Sequence, residues 1–318
     1  MPDIAAEKVH QPVLRVETLE LLGAKNGGLF VDATLGLGGH TETILKASPD
    51  ATVIGIDQDS SALKMASVRL AGFGKRFLGF QANFSGIGEV IAKAEQGKPD
   101  GIMADLGVSS LQLDSETRGF SFRFNAPLDM RMDTDSDGET VAELLGRVGQ
   151  DELANIIYNY GEEKASRKIA RWIIEKRDAG TPIETTTDLA DLVRRAVKTG
   201  PKDKIHPATR TFQALRIAVN GELEILEQFI TDSVELLKTD GVLAIITFHS
   251  LEDRIVKHAF QRLAGKCQCP PRLPICMCGA AKKVEILTRK PVLPGETEQR
   301  ENPRSRSAKL RACRKLEQ

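Results

Sequence analysis

The sequence has no long hydrophobic run and few cysteines. No apolar stretch reaches the roughly 18 residues of a membrane-spanning helix, and the N-terminus has no apolar segment behind a basic start, which argues against a signal peptide. Five cysteines in 318 residues, four of them clustered, argue against a disulfide scaffold. These absences predict a cytoplasmic protein without a membrane contact.

The chain also lacks a net charge, since 44 basic residues balance 44 acidic ones. A neutral total does not exclude a polyanionic partner, because charge can be distributed unevenly. Residues 300–318 hold seven Lys or Arg and two Glu. A hydrophobic content of 41% is enough for a sizeable core, and the length suggests about two domains.

Strand-like and helix-like segments alternate over the first hundred residues. Strands are predicted near 29–34, 52–57, 77–83 and 99–106, and helices near 11–22, 39–48, 60–71 and 87–96. Such alternation predicts right-handed crossovers and a parallel sheet. The chemistry is therefore expected at the carboxyl ends of the strands.

The alternation stops after residue 107 and resumes late in the chain. A loop-like stretch and several helices follow, and then a long helix over about 209–238. Further strands are predicted near 241–248, 284–288 and 307–314. The simplest architecture is a doubly wound α/β fold, residues 1–112 and 207–318, with an inserted all-helical domain, residues 113–206.

A glycine-rich turn follows the first strand, in the sequence LFVDATLGLGGH of residues 29–40. The second strand ends at Asp57, 19 residues after Gly38. Glycines allow a close approach of the backbone to a ligand, and an acid at the next strand end can hold ribose hydroxyls. This pattern predicts a nucleotide-like cofactor site, although glycines packed in an ordinary strand-turn-helix and an acid capping a helix remain alternatives.

Two cofactors fit the glycine turn. A dinucleotide site prefers a third glycine where this chain has Thr41. S-adenosylmethionine has no pyrophosphate, and Asp32 at the end of the first strand could face its ammonium group. Asp105 ends the fourth strand and is expected at the reacting centre, unless it is only a carboxylate that begins a loop.

Eight segments, in order, resemble one family. They are HQPVL at 10–14, DATLGLGGH at 32–40, DLGVSSLQLD at 105–114, RGFSF at 118–122, PLDMRMD at 127–133, HPATRTFQALRI at 206–217, FHSLEDRIVK at 248–257 and ENPRSRSAKLR at 301–311. The chain resembles the bacterial ribosomal RNA small subunit methyltransferase H family, also called MraW, over nearly its whole length.

The resemblance implies a class I methyltransferase fold that transfers a methyl group from S-adenosyl-L-methionine to N4 of a cytidine in the decoding region of 16S rRNA. The small ribosomal subunit would be its partner, and a homodimer is plausible. By position, the cofactor contacts implied are Gly38, Gly39, His40, Asp57, Phe84, Asp105 and Gln112. Leu111 stands where some relatives have proline, which could reshape the loop before Gln112.

Cytosine N4 is a poor nucleophile, so an acceptor for its N–H bonds is needed, and Asp105 is the predicted catalytic residue. Other amino-group methyltransferases often have an Asp/Asn-Pro-Pro-aromatic run, but this chain has DLGV at 105–108. The base-stacking ring must come from elsewhere. The candidates are Phe120, Phe122, Phe124, Phe248 and His249, although the alternation of the first three is also typical of core packing.

RNA should be held mainly through its phosphates. The candidate contacts are Arg210, His249, Arg304, Arg306, Lys309, Arg311 and the basic run 198–204, with a solvated charged face as the alternative. His206 precedes a proline in a turn, which favours a structural role.

The cysteine pairs at 267 and 269 and at 276 and 278 could bind a structural zinc, but the short spacers favour reduced thiols, and no metal is needed for catalysis. Two other classes stay open: a noncatalytic RNA-binding assembly protein, and a nicotinamide-dependent oxidoreductase.

Overall fold

The computed structural model describes residues 12–198, 200, 205–267, 269, 277 and 280–317. Within these residues seven strands form one sheet in the order β3-β2-β1-β4-β5-β7-β6. The strands are β1 (Gly28–Asp32), β2 (Ala51–Asp57), β3 (Phe77–Gln81), β4 (Gly101–Asp105), β5 (Val242–Thr247), β6 (Val284–Ile286) and β7 (Lys309–Lys315). The first five are parallel, and β7 runs antiparallel to both of its neighbours.

Thirteen α-helices accompany the sheet in the described part of the chain. They are α1 (Arg15–Leu22), α2 (Gly39–Ala47), α3 (Ser60–Leu70), α4 (Ile87–Ala94), α5 (Ser110–Asp114), α6 (Val141–Arg147), α7 (Gln150–Gly161), α8 (Ser166–Asp178), α9 (Thr186–Ala196), α10 (Thr209–Asn220), α11 (Glu222–Leu236), α12 (Ser250–Leu263) and α13 (Glu296–Glu301). Among the residues described, no helix is long and apolar enough to cross a bilayer.

The central strands are apolar on both faces because helices cover both. All six residues of β5 are buried, and so are the first four of β4. One apolar cluster contains Val31, Ile102 and Phe229, and a second, on other residues of the same strands, contains Phe30 and Met103. A parallel sheet buried on both faces has this near-continuous hydrophobic pattern. The predicted class I methyltransferase fold, doubly wound and mostly parallel, is confirmed.

The chain divides into two compact units: one extends to Gly107 and resumes at Leu223, and the other spans Val108–Glu222. These boundaries differ from those expected at residues 112 and 206. Helix α10 falls in the helical unit because Ala208, Phe212 and Leu215 pack into its apolar core.

The predicted long helix over 209–238 is wrong, since two helices occupy this segment. Helix α10 ends at Asn220, and α11 begins at Glu222. Gly221 between them has φ of +60°, and its N–H bonds to the Ile217 carbonyl. A glycine in this left-handed conformation ends helices frequently, because it carries no Cβ to clash.

Two helical glycines of the second unit should respond oppositely to alanine. A Cβ on Gly161, at the end of α7, would lie 2.5 Å from the Arg210 carbonyl oxygen of α10, whereas one on exposed Gly146 in α6 would meet nothing within 4 Å. We expect Gly161→Ala to lower the free energy of unfolding by about 1–3 kcal/mol, and Gly146→Ala to raise it by about 0.5–1 kcal/mol.

Denaturant unfolding of both variants checks this pair. Equal effects of the two substitutions would contradict the close α7–α10 packing.

Candidate active site

The glycine loop joins β1 to α2 through a tight turn. The Gly38 N–H bonds to the Leu35 carbonyl, and Gly36 and Gly38 have φ of +52° and +77°. A Cβ on Gly38 would lie 3.0 Å from Leu70 Cδ1. Glycine is therefore required at residue 38 both for its backbone conformation and for its contact with α3. Gly39 begins α2, and the buried His40 follows it.

Asp57 ties the second strand end to this loop. Its Oδ2 accepts the Gly36 N–H at 2.7 Å, and its Oδ1 accepts the Asp59 N–H at 2.8 Å. Burial raises the pKa of Asp57 to about 6, although these two hydrogen bonds favour the charged form and lower the pKa. The alternative that Asp57 caps the next helix is wrong, because Asp59 provides that cap to α3.

Asp32 is buried at the end of β1, where its Oδ2 accepts the Thr41 hydroxyl at 2.8 Å. Burial raises the pKa of Asp32 to about 6, although its hydrogen bonds to Thr41 and Thr34 oppose the shift. Thr41 is the residue that departs from the dinucleotide glycine pattern. Its hydroxyl orients a carboxylate instead, a role that the sequence reading missed.

Asp105 ends β4, and its N–H donates to the Thr34 hydroxyl at 2.6 Å. Its Oδ2 lies 3.8 Å from His40 Nε2, whereas its Oδ1 is buried and has no hydrogen-bond partner among the described residues. Burial, and then the carboxylates of Asp32 and Glu252, raise the pKa of Asp105 well above its ordinary value. A buried acceptor without a donor is costly, which marks this atom for a ligand.

Glu252, in the first turn of α12, is a second residue that the sequence reading missed. It is 2% exposed. Its Oε2 accepts the Phe248 N–H at 2.8 Å and the His249 N–H at 3.3 Å. His249 caps α12 in return, because its Nδ1 accepts the Glu252 N–H at 3.4 Å. A glutamate three residues after a capping residue is the sequence signal that could have revealed this pair.

Phe84 and Gln112 lie in different units. Phe84 follows β3 in a short 3₁₀ helix, and its ring packs edge-on against Phe229 with centroids 5.0 Å apart. Gln112 lies in α5 of the helical unit, where its Oε1 accepts the Ser109 N–H at 3.0 Å in a capping box. Gln112 therefore has a structural role in starting α5, and its predicted cofactor contact stays a prediction.

The basic residues predicted to contact RNA differ in their burial and in their contacts. Lys309 and Arg311 both donate to Asp253, at 3.2 and 2.6 Å, so the structure ties these two side chains to α12. Arg306 is exposed and Arg304 half-buried in the 3₁₀ helix Pro303–Ser307, and Arg210 is exposed at the start of α10. Most of the basic run 198–204 lies outside the described residues.

The phenylalanines of the RGFSF segment pack within the helical unit. Phe120 is buried in the apolar core of that unit. The Phe122 ring stacks on the His206 ring with centroids 4.4 Å apart, and meets the Phe212 ring edge-on. His206 Nδ1 also accepts the Ala208 N–H at 3.2 Å. Core packing thus accounts for Phe120, and ring packing accounts for Phe122 and His206.

The candidate zinc site lies partly outside the described residues, because Cys276 and Cys278 are not among them. Cys267 is exposed and Cys269 half-buried, and neither forms a disulfide in the described part of the chain. No group of three or more metal-binding side chains occurs in that part.

The residues at the strand ends fit a cationic nucleoside cofactor. Asp57 stands at the end of β2, and Asp32 and Asp105 place acidic groups at the ends of β1 and β4. The unpaired Asp105 Oδ1 is the clearest sign of fit, because an incoming donor or positive charge would satisfy it.

Residues 7–316 match the family described as the MraW methylase family. The chain is 51% identical over 309 residues to "Ribosomal RNA small subunit methyltransferase H" of Geobacter sulfurreducens, with 96% of this chain and 99% of that protein covered. The protein of the same name from Trichlorobacter lovleyi is 50% identical, with 96% and 98% covered. Among solved structures, NSun6 from Pyrococcus horikoshii with SFG aligns at a TM-score of 0.43 and 13% identity, with 100% of this chain and 57% of that one covered.

Proposed function

This chain belongs to the MraW methylase family, and we propose that it methylates N4 of a cytidine in the decoding region of 16S rRNA. S-adenosyl-L-methionine is its cofactor. The relatives that align over nearly their full length are named as methyltransferases of small-subunit ribosomal RNA, which supports the RNA substrate. The cytosine amine as acceptor is supported by the chemistry of Asp105.

Residues of the first unit hold the cofactor in this proposal. The backbone of Gly38 and Gly39 and the His40 side chain line the loop, and Asp57 accepts the ribose hydroxyls. Both Asp57 oxygens already accept a backbone N–H, but each retains a lone pair for a further donor. Phe84, beyond β3, contributes an apolar edge.

Asp105 is the proposed catalytic residue, and the observation that carries this role is its buried, unpartnered Oδ1. When bound, the cofactor supplies a methyl group on a sulfonium, and the thioether is a good leaving group. Asp105 would accept an N–H bond of the cytosine amine, which localises the nitrogen lone pair toward the methyl carbon, and it would take the proton that N4 releases when the new N–C bond replaces the S–C bond. Since the methyl donor is reactive by itself, positioning the amine supplies most of the rate.

The substrate reaches such a pocket only as an unstacked base. Arg304, Arg306 and Arg210 are proposed to contact phosphates, with His249 near the base. The inserted helical unit, residues 113–206 by sequence, is proposed to recognise the RNA. The cytoplasmic location and the homodimer stay predictions.

The decisive experiment is tritiated methyl transfer to small ribosomal subunits from a strain that lacks this protein, followed by identification of the modified nucleoside. We expect one labelled nucleoside, N4-methylcytidine. Label in another nucleoside would overturn the N4 assignment. No label, with the cofactor bound, would favour the noncatalytic assembly protein.

The affinity for S-adenosylmethionine should depend on pH through two acids. Asp57 and Asp32 both have a pKa of about 6. Each acid accepts hydrogen bonds from backbone N–H groups, and Asp32 also accepts one from the Thr41 hydroxyl. The carboxylates of Asp59 and Asp105 are further neighbours. Both acids are neutral well below pH 6 and ionise as the pH rises, so the affinity for a cation should rise from pH 5 to pH 7.

We expect a change of up to about tenfold per pH unit for each acid that must ionise. Titration calorimetry from pH 5 to 8 measures the slope, and the Asp57→Asn variant should show a shallower one. A wild-type affinity independent of pH would contradict the role of these carboxylates.

A further inference from the structure

The end of β5 carries two of the base-stacking candidates, Phe248 and His249. Phe248 and His249 follow the last residue of this strand, Thr247, and β5 is the neighbour of β4, which ends at Asp105. The register pairs Asp105 with Ile246, and the Leu106 N–H bonds to the Ile246 carbonyl. Phe248 thus follows the end of the strand that lies next to the strand carrying the proposed catalytic Asp105.

Gly107 leaves the space beside this ring open. It has φ of +97°, and the atom nearest to a Cβ built on it would be Phe248 Cδ2, at 3.8 Å. The ring therefore lies next to the segment after Asp105, where a glycine presents only backbone. An aromatic ring is absent from residues 105–108, and Phe248 brings one to the same place from the adjacent strand.

Glu252 fixes the backbone that carries this ring. A single carboxylate oxygen accepts the N–H groups of both Phe248 and His249, and Glu252 Oε1 lies 3.1 Å from His249 Nε2. Phe248 is half-buried and packs against the apolar cluster that contains Phe30 and Met103. The capping box of α12 accounts for the bond to the His249 N–H, and the bond to the Phe248 N–H fixes one further residue just before the cap.

We propose that the accessible part of the half-buried Phe248 ring is the surface on which the target base stacks, and that Glu252 is the residue that positions it. This inference rests on the proposed function and identifies the base-holding element of the same site. An aromatic ring recognises the π-face of any nucleobase, so stacking supplies affinity and orientation, and the amine is presented to Asp105 by the orientation of the base.

Kinetics on RNA substrate test the proposal in variants that still bind S-adenosylmethionine. We expect Phe248→Leu to lower kcat/KM for RNA about 10- to 100-fold, with cofactor affinity within twofold of wild type. Phe248→Tyr should lose less than the leucine variant, because it keeps the ring. Equal losses in the tyrosine and leucine variants, or no loss in either, would overturn the stacking role.

Glu252 is tested through its coupling to Phe248. If it acts by positioning the ring, Glu252→Ala should lower kcat/KM for RNA in the wild type but have little further effect in Phe248→Leu. The Glu252→Gln variant, which keeps an acceptor oxygen, should recover part of the loss. Fully additive effects would overturn the positioning role.

A fluorescence measurement gives an independent readout. The chain has one tryptophan, Trp172 in α8, so the double variant Trp172→Phe/Phe248→Trp places a single reporter at the end of β5. Adding a cytidine-containing single-stranded RNA should quench this reporter, and unquenched emission at saturating RNA would contradict base stacking. If the wild type transfers no methyl group to RNA in the kinetic assay, the proposed function itself is wrong, whatever the variants do.

Discussion

The Asp105→Asn variant is expected to fold, to bind S-adenosylmethionine, and to transfer methyl groups at least about 100-fold more slowly than wild type. The amide has nearly the shape of the carboxyl group. It has a single acceptor oxygen, however, and its nitrogen cannot accept an N–H bond. Single-turnover rates on small ribosomal subunits, at saturating cofactor, measure this loss separately from binding.

The same variant should be more stable than wild type. Burial and the carboxylates of Asp32 and Glu252 raise the pKa of Asp105, so the folded protein destabilises its charged form. For an acid with a raised pKa, this cost is absent at low pH and grows as the pH rises toward the folded pKa. Replacing this ionisable group with an amide should therefore raise Tm at pH 7 by about 1–4 °C.

Asp100→Asn is the matched control, since Asp100 lies just before β4, where its Oδ2 accepts the Leu29 N–H and pairs with Lys238. This control should keep its catalytic rate and lose stability. An Asp105→Asn variant that loses both rate and stability would indicate a structural residue, and one that keeps its rate would refute the catalytic role.

The Asp57→Ala variant is expected to weaken S-adenosylmethionine binding about 100-fold, because two charge-assisted hydrogen bonds to ribose hydroxyls are lost. The Asp57→Asn variant keeps the shape of the side chain and should lose about tenfold. Titration calorimetry at pH 7.5, above the pKa of about 6, compares the two variants with all wild-type Asp57 ionised.

Asp59→Asn serves as the control two residues away, since asparagine caps a helix as well as aspartate does. It should bind the cofactor as the wild type does. If Asp57→Ala binds within threefold of wild type while it remains folded, the ribose does not contact this carboxylate.

Much of the fold was predictable from the sequence, because the local hydrophobic pattern agrees with the tertiary structure. Each of the first four strands is an apolar run that ends in or before a polar residue at the carboxyl edge of the sheet, as Asp32, Asp57 and Asp105 illustrate. Covalent order and the right-handed crossover then dictate that these ends converge. The fold class predicted in this way is confirmed. The family, which the eight resembling segments indicated, and the cofactor are confirmed too, and family membership leaves the oxidoreductase alternative without support.

Sequence patterns are insufficient where a single residue or a distant contact decides the structure. Gly221 ends a helix whose apolar period continues across it, so the period predicted one helix where there are two. Lys309 and Arg311 alternate with apolar residues in β7 and look like a basic surface, but Asp253 from α12 binds both. Sequence spacing does not reveal partners that are more than fifty residues away.

The site was predictable in its loop and acids but not in its internal contacts. The glycine turn and Asp57 follow from strand-turn-helix spacing. The Thr41 hydroxyl on Asp32 and the Glu252 carboxylate on the Phe248 N–H depend on three-dimensional packing. The predicted roles toward the cofactor stay predictions for all the residues named, which are Gly38, Gly39, His40, Asp57, Phe84, Asp105 and Gln112.

A crystal structure of the protein with S-adenosylhomocysteine most directly tests the claim that these strand ends form the methyl-transfer pocket. We expect ribose hydroxyls within hydrogen-bond distance of Asp57, the adenosine beside the Gly36–Gly38 turn, and the sulfur directed toward Asp105. A ligand bound with its ribose away from Asp57, or a pocket without ligand at saturating concentration, would contradict that claim.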